Sequence, residues 1–271
     1  ILERDRTQAE FTLELDDYLK RRVNAPTIRI ARQMYAKHGP LLRKVEKQYG
    51  VPARIVVAIW GLESNFGRFS GVRPTIPALV TLAYDPRRAT MFRNELFKAL
   101  EIVDRGDIEL ERLKGSWAGA LGQPQFMPSS YLEYAQDFDG DGRKDIWSSH
   151  ADVFASIAYY LRQHGWKTGE TWGREVTLPK AVEESITGLP RRATGCRARR
   201  LMTDPKPLNE WSDLGVRNAN GAKLPVSTIP ASFVEAGKRM FLLYNNYEAL
   251  LGYNCAHSYA LSVGLLADSI R

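Results

Sequence analysis

Apolar residues recur at helical spacing, with charged residues between them, through most of the first two-thirds of the chain. Over residues 7–49 this spacing predicts two helices, separated at the turn signal Asn24-Ala25-Pro26. Pro52 has the position of a first-turn proline, which predicts that an apolar helix follows it. Further helical patterns occur over residues 91–105, 107–113 and 152–164. This part of the chain is therefore predicted to be mostly α-helical.

The pattern changes over residues 168–246, where glycine, proline and asparagine become frequent. Short runs typical of strands occur at 174–178 and 239–244, and they predict a small β-containing unit. The last segment, 257–270, is again helical and apolar on one side, so we expect it to pack against the α-helical core. The whole pattern predicts a mainly α protein of the α+β class.

Basic residues outnumber acidic ones, 38 to 31, and the formal net charge is +7. This balance favours an anionic partner, and nucleic acid, anionic lipid and the bacterial cell wall all qualify. No zinc-finger or RNA-recognition motif accompanies the basic residues, so we do not expect nucleic-acid binding. The densest basic cluster consists of Arg191, Arg192, Arg197, Arg199 and Arg200.

The apolar runs are far shorter than the ~20 residues of a membrane helix, so we expect no transmembrane segment. The sequence leaves open whether a targeting or lipid-anchoring segment precedes Ile1.

Two cysteines, Cys196 and Cys255, also leave two interpretations open. In an oxidising compartment a disulfide would close a loop of about 60 residues, worth roughly 4 kcal/mol in the chain-entropy model. Otherwise they are two independent small buried residues.

A glutamate ends the most apolar of the predicted helices. Positions 56, 59, 60 and 63 share one helical face, so Glu63 stands where the pattern calls for an apolar residue. Desolvation raises the pKa of a carboxyl group, so the group keeps its proton near neutral pH. A general acid needs this protonated state in order to protonate a leaving glycosidic oxygen. The residues that follow, Ser64-Asn65-Phe66-Gly67, are expected to break the helix and open the site. The alternative is a surface glutamate that simply ends its helix.

Small, polar and aromatic residues alternate over residues 115–131. Glycines permit close backbone approach, and polar side chains beside aromatic ones suit a groove for sugars. The same composition also fits a glycine-rich loop that packs between helices.

The run Asp137-Phe138-Asp139-Gly140-Asp141-Gly142-Arg143 matches the first part of an EF-hand calcium loop. Asp137, Asp139 and Asp141 would supply side-chain oxygens, and Arg143 its backbone carbonyl. Ser148 stands where a bidentate glutamate normally closes the site. We expect a calcium ion with a structural role; the alternative is a solvated acidic turn.

Several motifs, in a fixed order along the chain, resemble those of a known family. They are Ile59-Trp60-Gly61-Leu62-Glu63-Ser64-Asn65-Phe66-Gly67, Tyr84-Asp85-Pro86-Arg87-Arg88, residues 115–131, the loop from Asp137, Gly165-Trp166, and Tyr253-Asn254 through His257 and Tyr259-Ala260. In these motifs, and along almost its whole length, the chain resembles the membrane-bound lytic transglycosylase B family, glycoside hydrolase family 103. The core of that family is similar to goose-type lysozyme.

The resemblance implies that Glu63 is the catalytic acid and base, and that Ser116 and Gln125 hydrogen-bond a sugar near it. It implies that Arg87 and Arg88 contact acidic peptide or lactyl groups of the substrate.

Three further residues, Tyr160, Asn254 and Tyr259, would line the cleft, with Cys255 directly after Asn254. The family's longer calcium loop indicates Asp152 as the closing metal ligand, after one extra residue, and Asp145 could contribute through water.

The architecture implied by the resemblance has three parts. Residues 51–74, 114–167 and 247–271 would form the lysozyme-like catalytic core, with the calcium-type loop at 137–152. Residues 1–50 and 75–113 would form an α-helical subdomain, and residues 168–246 a small β-containing subdomain. The implied substrate is the glycan strand of peptidoglycan, and the implied location is the periplasm, in solution or anchored at the outer membrane. Cell-wall synthesis proteins are the further partners that the resemblance implies.

Ordinary glycosidases place two carboxylates across the scissile bond, but the segments that resemble this family's cleft supply a single glutamate, Glu63. This fits a lytic reaction that yields a 1,6-anhydromuramoyl end, consumes no water and needs no cofactor for its chemistry. Two other hypotheses are a muramidase that cleaves the same bond with water, and a calcium-stabilised peptidoglycan-binding module without turnover.

Overall fold

The structure of the protein is a computed structural model that describes residues 1–3 and 13–270. The chain forms two units, which are described separately. The first consists of Ile1–Thr12, Ala25–Tyr160 and Leu266–Arg271, and the second of Leu13–Asn24 and Leu161–Leu265. The helical pattern over residues 7–12 lies outside the described residues. The three-part division that the resemblance implies stays a prediction.

Helices make up about half of the described chain. In chain order they are α1 (Leu15–Arg22), α2 (Ala25–Lys37), α3 (Gly39–Tyr49), α4 (Ala53–Ser64), α5 (Thr75–Tyr84), α6 (Ala89–Asp104), α7 (Pro128–Tyr134), α8 (His150–Gln163), α9 (Lys180–Thr187), α10 (Arg197–Arg200), α11 (Leu208–Asp213), α12 (Asn245–Tyr253) and α13 (His257–Ser269). The strands are β1 (Arg73–Pro74), β2 (Lys114–Gly115), β3 (Gly173–Thr177), β4 (Lys206–Pro207), β5 (Arg217–Asn218), β6 (Pro230–Ala236) and β7 (Arg239–Leu243). None of the helices in residues 1–3 and 13–270 combines the length and apolar character that a membrane crossing requires.

Most of the predicted helices are confirmed. The chain breaks at Val23 and Asn24, between α1 and α2, and Pro52 is the N-cap of α4. The second of the two helices predicted over residues 7–49 is divided at His38 into α2 and α3. The prediction of a helix over residues 107–113 is wrong, because only one 3-10 turn forms there, at Leu110–Arg112. Leu110 is exposed and Leu113 is buried, so this segment has no continuous apolar face to pack.

Helix α4 is largely buried in the first unit. Its residues 55–60 are all buried, because the run is apolar on every side of the helix. Glu63 is half-buried at the last turn of this helix.

The C-terminal part of α13 also belongs to the first unit, where Arg32 donates a hydrogen bond to the carbonyl of Ser269 at 2.8 Å. Only the end of the predicted tail helix therefore packs in the first unit, whereas residues 257–265 belong to the second.

An antiparallel five-stranded sheet, in the order β4-β6-β7-β3-β5, lies in the second unit. The strands predicted at 174–178 and 239–244 are confirmed as β3 and β7, while β6 is an addition. The two-residue turn between β6 and β7 begins at Gly237, with φ 65°, a conformation that glycine adopts without strain. Helices α9 and α11 pack on the sheet around Trp211, which is fully buried.

The two cysteines are joined. Cys196, the N-cap of α10, and Cys255, between α12 and α13, form a disulfide with their Cα atoms 6.5 Å apart. Glu248 of α12 also pairs with two arginines, Arg192 and Arg199, from either side of Cys196. Of the two interpretations that the sequence leaves open, the structure therefore supports the disulfide.

Candidate active site

The chain turns sharply immediately after Glu63. Asn65, Phe66 and Gly67 have φ values of 50°, 58° and 79°, three successive residues in the left-handed region that non-glycine residues rarely adopt. Ser64 fixes this turn, since its hydroxyl donates to the carbonyl of Trp60 at 2.9 Å and accepts from the amide of Gly67 at 3.0 Å. The predicted helix break is confirmed, and it leaves Glu63 half-buried at the end of a buried helix.

The segment after this turn runs beside the start of the polar segment, residues 115–131. Arg73 pairs with Gly115 in the β1–β2 ladder. The two backbones approach so closely that a Cβ on Gly71 would lie 2.3 Å from the carbonyl carbon of Gly115. Gly119 likewise lies against Leu79 of α5, where a Cβ would come within 2.5 Å of a methyl carbon. Glycine is required at these positions because the packing leaves no space for a side chain.

Ser116 and Gln125, the predicted sugar-binding residues, are both half-buried in this segment. The Ser116 hydroxyl accepts hydrogen bonds from the amides of Ala118 at 3.2 Å and Ala120 at 3.1 Å. Gln125 has a φ of 55°, and its side-chain amide donates to the carbonyl of Gly122 at 2.7 Å. These local bonds orient both side chains. The hydroxyl proton of Ser116 and the Oε1 atom of Gln125 are the groups suited to binding a sugar.

The predicted substrate-binding arginines lie at the turn between α5 and α6. Arg87 is exposed, and its backbone amide donates to the Asp85 carboxylate at 3.1 Å. The Arg88 guanidinium lies 4.8 Å from the centre of the Phe92 ring. The two cations belong to the same unit as Glu63, and their contact with substrate stays a prediction.

Tyr160, another predicted cleft residue, is buried on α8. Its ring centre is 5.5 Å from that of Phe126 and 4.7 Å from that of Tyr134, so it lies next to the Gln125 segment. Burial raises the pKa of its phenol, so the hydroxyl stays protonated at neutral pH.

The remaining predicted cleft residues, Asn254 and Tyr259, belong to the second unit. Asn254 caps α12, directly before the disulfide at Cys255. Tyr259 is buried, and its ring stacks on Tyr253 with the ring centres 6.1 Å apart.

Acid is expected to destabilise the second unit through His257. This residue is buried, its Nδ1 atom lies 2.8 Å from the Tyr247 hydroxyl, and burial lowers its pKa from 6.5 to about 4. Its contribution to stability is therefore fully present above pH 6.5 and is lost as the pH falls towards 4. We expect the free energy of unfolding to fall by about 3 kcal/mol over this range through His257 alone.

Urea unfolding at pH 7 and pH 4.5 would measure this effect in the wild type and in His257→Gln, which keeps a hydrogen-bonding side chain but cannot titrate. The variant should show the smaller pH dependence. An equal dependence in both proteins would contradict the assignment to His257.

The calcium-type loop brings three of the five predicted ligand residues together. Oxygen atoms of Asp137, Asp139 and Asp152 all lie within 4.8 Å of one another. Asp141 is not in this group, and its carboxylate accepts from the backbone amide of Arg143 at 2.8 Å. Carboxylate oxygens are the donors that calcium prefers, so the three residues fit the ion.

Asp152 is the buried member of this group. It accepts hydrogen bonds from the amides of Phe138 and Asp145, each at 2.8 Å. Burial nevertheless raises the pKa of its carboxyl group, because the two hydrogen bonds offset only part of the lost hydration. A divalent cation at the three carboxylates would stabilise the charged form.

Sequence reasoning does not single out Gln123, although it lies within the polar segment. Its side chain is buried and hydrogen-bonded at both ends. A long amide side chain between a glycine and a proline, among apolar neighbours, is the signal that could identify it.

Comparisons with known proteins give a consistent result. The chain matches the model of the Transglycosylase SLT domain family over residues 1–268. It is 30% identical over 259 residues to the membrane-bound lytic murein transglycosylase B of Escherichia coli K12, covering 93% of this chain and 66% of that protein. The chain thus spans slightly less than two thirds of the length of this curated relative.

Solved structures are similar along nearly the whole chain. The crystal structure of SltB3 from Pseudomonas aeruginosa in complex with NAG-anhNAM-pentapeptide has a TM-score of 0.89 and 42% identity, covering 99% of this chain and 69% of that one. The Escherichia coli lytic transglycosylase Slt35 in complex with calcium has a TM-score of 0.80 and 27% identity, covering 99% of this chain and 81% of that one. The predicted fold class, mainly α with a small β part, is therefore confirmed.

Proposed function

The chain belongs to the Transglycosylase SLT domain family, and from this we propose that it is a lytic transglycosylase of bacterial peptidoglycan. It would cleave the β-1,4 bond between N-acetylmuramic acid and N-acetylglucosamine and leave a 1,6-anhydromuramoyl end. Glu63 would act as both acid and base. The observation that carries this assignment is the position of Glu63, half-buried at the end of buried α4 and directly before three left-handed residues.

In the proposed first step the Glu63 carboxyl group donates its proton to the bridging oxygen. The bond from this oxygen to C1 of the muramoyl ring breaks, and an oxocarbenium-like or acetamido-assisted state forms. The Glu63 carboxylate then accepts the proton of the muramoyl 6-hydroxyl, whose oxygen bonds to C1. Glu63 ends the cycle protonated, so one carboxyl group is sufficient and no water is consumed.

The proposed substrate contacts rest on the conformation of the polar segment and on the family resemblance. We propose that Ser116 and Gln125 bind a sugar beside Glu63, with their loop conformations already fixed by local hydrogen bonds. Arg87 and Arg88 would bind acidic peptide or lactyl groups of the strand. Tyr160 supports the segment through Phe126, and we assign Asn254 and Tyr259 to the cleft from the family resemblance.

We propose that Asp137, Asp139 and Asp152 hold a calcium ion, with Asp141, the carbonyl of Arg143 and, through water, Asp145 as further candidates. The ion would take no part in the chemistry. When bound, it would neutralise the grouped carboxylates and stabilise the loop before α8. The calcium complex of the similar Slt35 structure and the three grouped carboxylates support this proposal.

We also propose a periplasmic location. The substrate lies there, and the Cys196–Cys255 disulfide fits an oxidising compartment. An anchor at the outer membrane and recruitment by cell-wall synthesis proteins are expectations from the family resemblance.

Mass spectrometry of the fragments released from purified peptidoglycan sacculi tests the function. A lytic transglycosylase releases fragments with 1,6-anhydromuramoyl ends. Reducing ends would instead identify a muramidase. Binding to sacculi without any released fragment would identify a binding module and contradict the proposal.

A further inference from the structure

The side chain of Gln123 connects the helix that carries Glu63 with the acidic loop. Its Oε1 atom accepts a hydrogen bond from the indole N–H of Trp60 at 2.6 Å. Its Nε2 atom donates to the backbone carbonyl of Trp147 at 2.7 Å. Gln123 is only 4% exposed and Trp60 only 1%, so water does not compete for the bond between them.

On the helix side, Gln123 contacts the chain on both sides of Glu63. Trp60 lies three residues before Glu63, which places both residues on one face of α4. Gly67 follows the left-handed turn, and a Cβ there would lie 2.6 Å from Oε1 of Gln123. The side chain of Gln123 therefore fixes the turn of helix before Glu63 and the end of the reversal after it.

On the loop side, the hydrogen bonds continue to the acidic group. The backbone amide of Trp147 donates to the Asp145 carboxylate at 2.9 Å. The amide of Asp145 in turn donates to the buried Asp152 carboxylate at 2.8 Å. A continuous chain of contacts thus runs from Asp152 through Asp145, Trp147 and Gln123 to Trp60.

The chemistry of these contacts requires an amide. An acceptor must face the indole N–H and a donor must face the carbonyl, and an amide side chain has one of each. Methionine has nearly the same length but cannot make either bond well, and glutamate lacks the donor at neutral pH. Asparagine is one methylene shorter.

We propose that Gln123 is a positioning residue that transmits the order of the acidic loop to α4 and so fixes Glu63 for catalysis. The catalytic part of this inference rests on the proposed function. The structural part, the coupling between the loop and residues 60–67, does not.

A double-mutant cycle tests the proposal with Gln123→Met, Asp145→Ala and the combined variant. For cleavage of a soluble glycan, Gln123→Met should lower kcat on the order of 10- to 100-fold with little change in KM, because Glu63 is displaced but the sugar contacts remain. Asp145→Ala should act in the same direction. The combined variant should lose no more activity than Gln123→Met alone, because both changes interrupt one chain of contacts.

Hydrogen exchange gives a readout that is independent of activity. Amides of residues 60–67 should exchange faster in both single variants, while Gln33→Met, the same change at an exposed position of the first unit, should exchange as the wild type does. If Gln123→Met does not fold, Gln123→Glu keeps the shape of the side chain and the acceptor for the Trp60 indole but removes the donor to Trp147.

The outcomes separate the two proposals. Unchanged kcat and unchanged exchange in folded Gln123→Met, or fully additive losses in the combined variant, would overturn the coupling. An inactive wild type would contradict the proposed function, and the exchange measurement would still decide the coupling.

Discussion

Glu63→Gln is expected to lower the rate of glycan cleavage by roughly 10²- to 10⁴-fold, the usual contribution of a general acid and base. The amide has the same shape as the carboxyl group, but it can neither give a proton to the leaving oxygen nor take one from the 6-hydroxyl. Binding to sacculi and thermal stability should stay close to those of the wild type. The measurement is the rate of release of 1,6-anhydromuramoyl fragments, with binding assayed separately.

The matched control for this variant is Glu111→Gln, the same change at an exposed glutamate of the first unit. It should cleave at the rate of the wild type. Retained activity in Glu63→Gln would contradict the assignment of Glu63 as the acid and base, whichever product is formed.

Asp152→Ala is expected to destabilise the first unit. Two amides, those of Phe138 and Asp145, would lose their acceptor, at about 1–3 kcal/mol each. Removing a buried charge returns part of this cost, so we expect a net loss of about 2–4 kcal/mol in urea unfolding. Calcium should stabilise the wild type and have little effect on this variant.

Asp141→Ala provides the comparison for Asp152→Ala. Asp141 is exposed and accepts one local bond, so its replacement should cost less than about 1 kcal/mol. Equal losses in the two variants would show that Asp152 does not hold the loop.

The sequence predicts those parts of the protein in which one signal dominates. The apolar run of α4 and the proline before it define that helix, and the residues after Glu63 define its end. The spacing of the aspartates likewise predicts Asp137 and Asp139 as members of the acidic group. Asp152 lies much further along the chain, and the spacing rule for an ordinary EF-hand loop does not reach it.

Features that depend on burial from two sides are not predictable in this way. Strand β6 shows no alternation of apolar and polar residues, because residues 231–234 are all buried. Gln123 is missed for a related reason, since its importance comes from two partners, Trp60 and Trp147, that are distant in sequence. Conversely, residues 107–113 have helical spacing but no continuous buried face, since Leu110 is exposed, and only a single turn forms.

The disulfide has a consequence for cleavage by proteases. Cys196 and Cys255 enclose the chain between them in a covalent ring, which includes an exposed stretch around Lys223 and Val226. A protease that nicks this stretch would therefore leave two fragments that are still one molecule, held together until the bond is reduced. Such a nicked protein would have the mass of the intact chain plus one water, and it would separate into two bands only on a reducing gel.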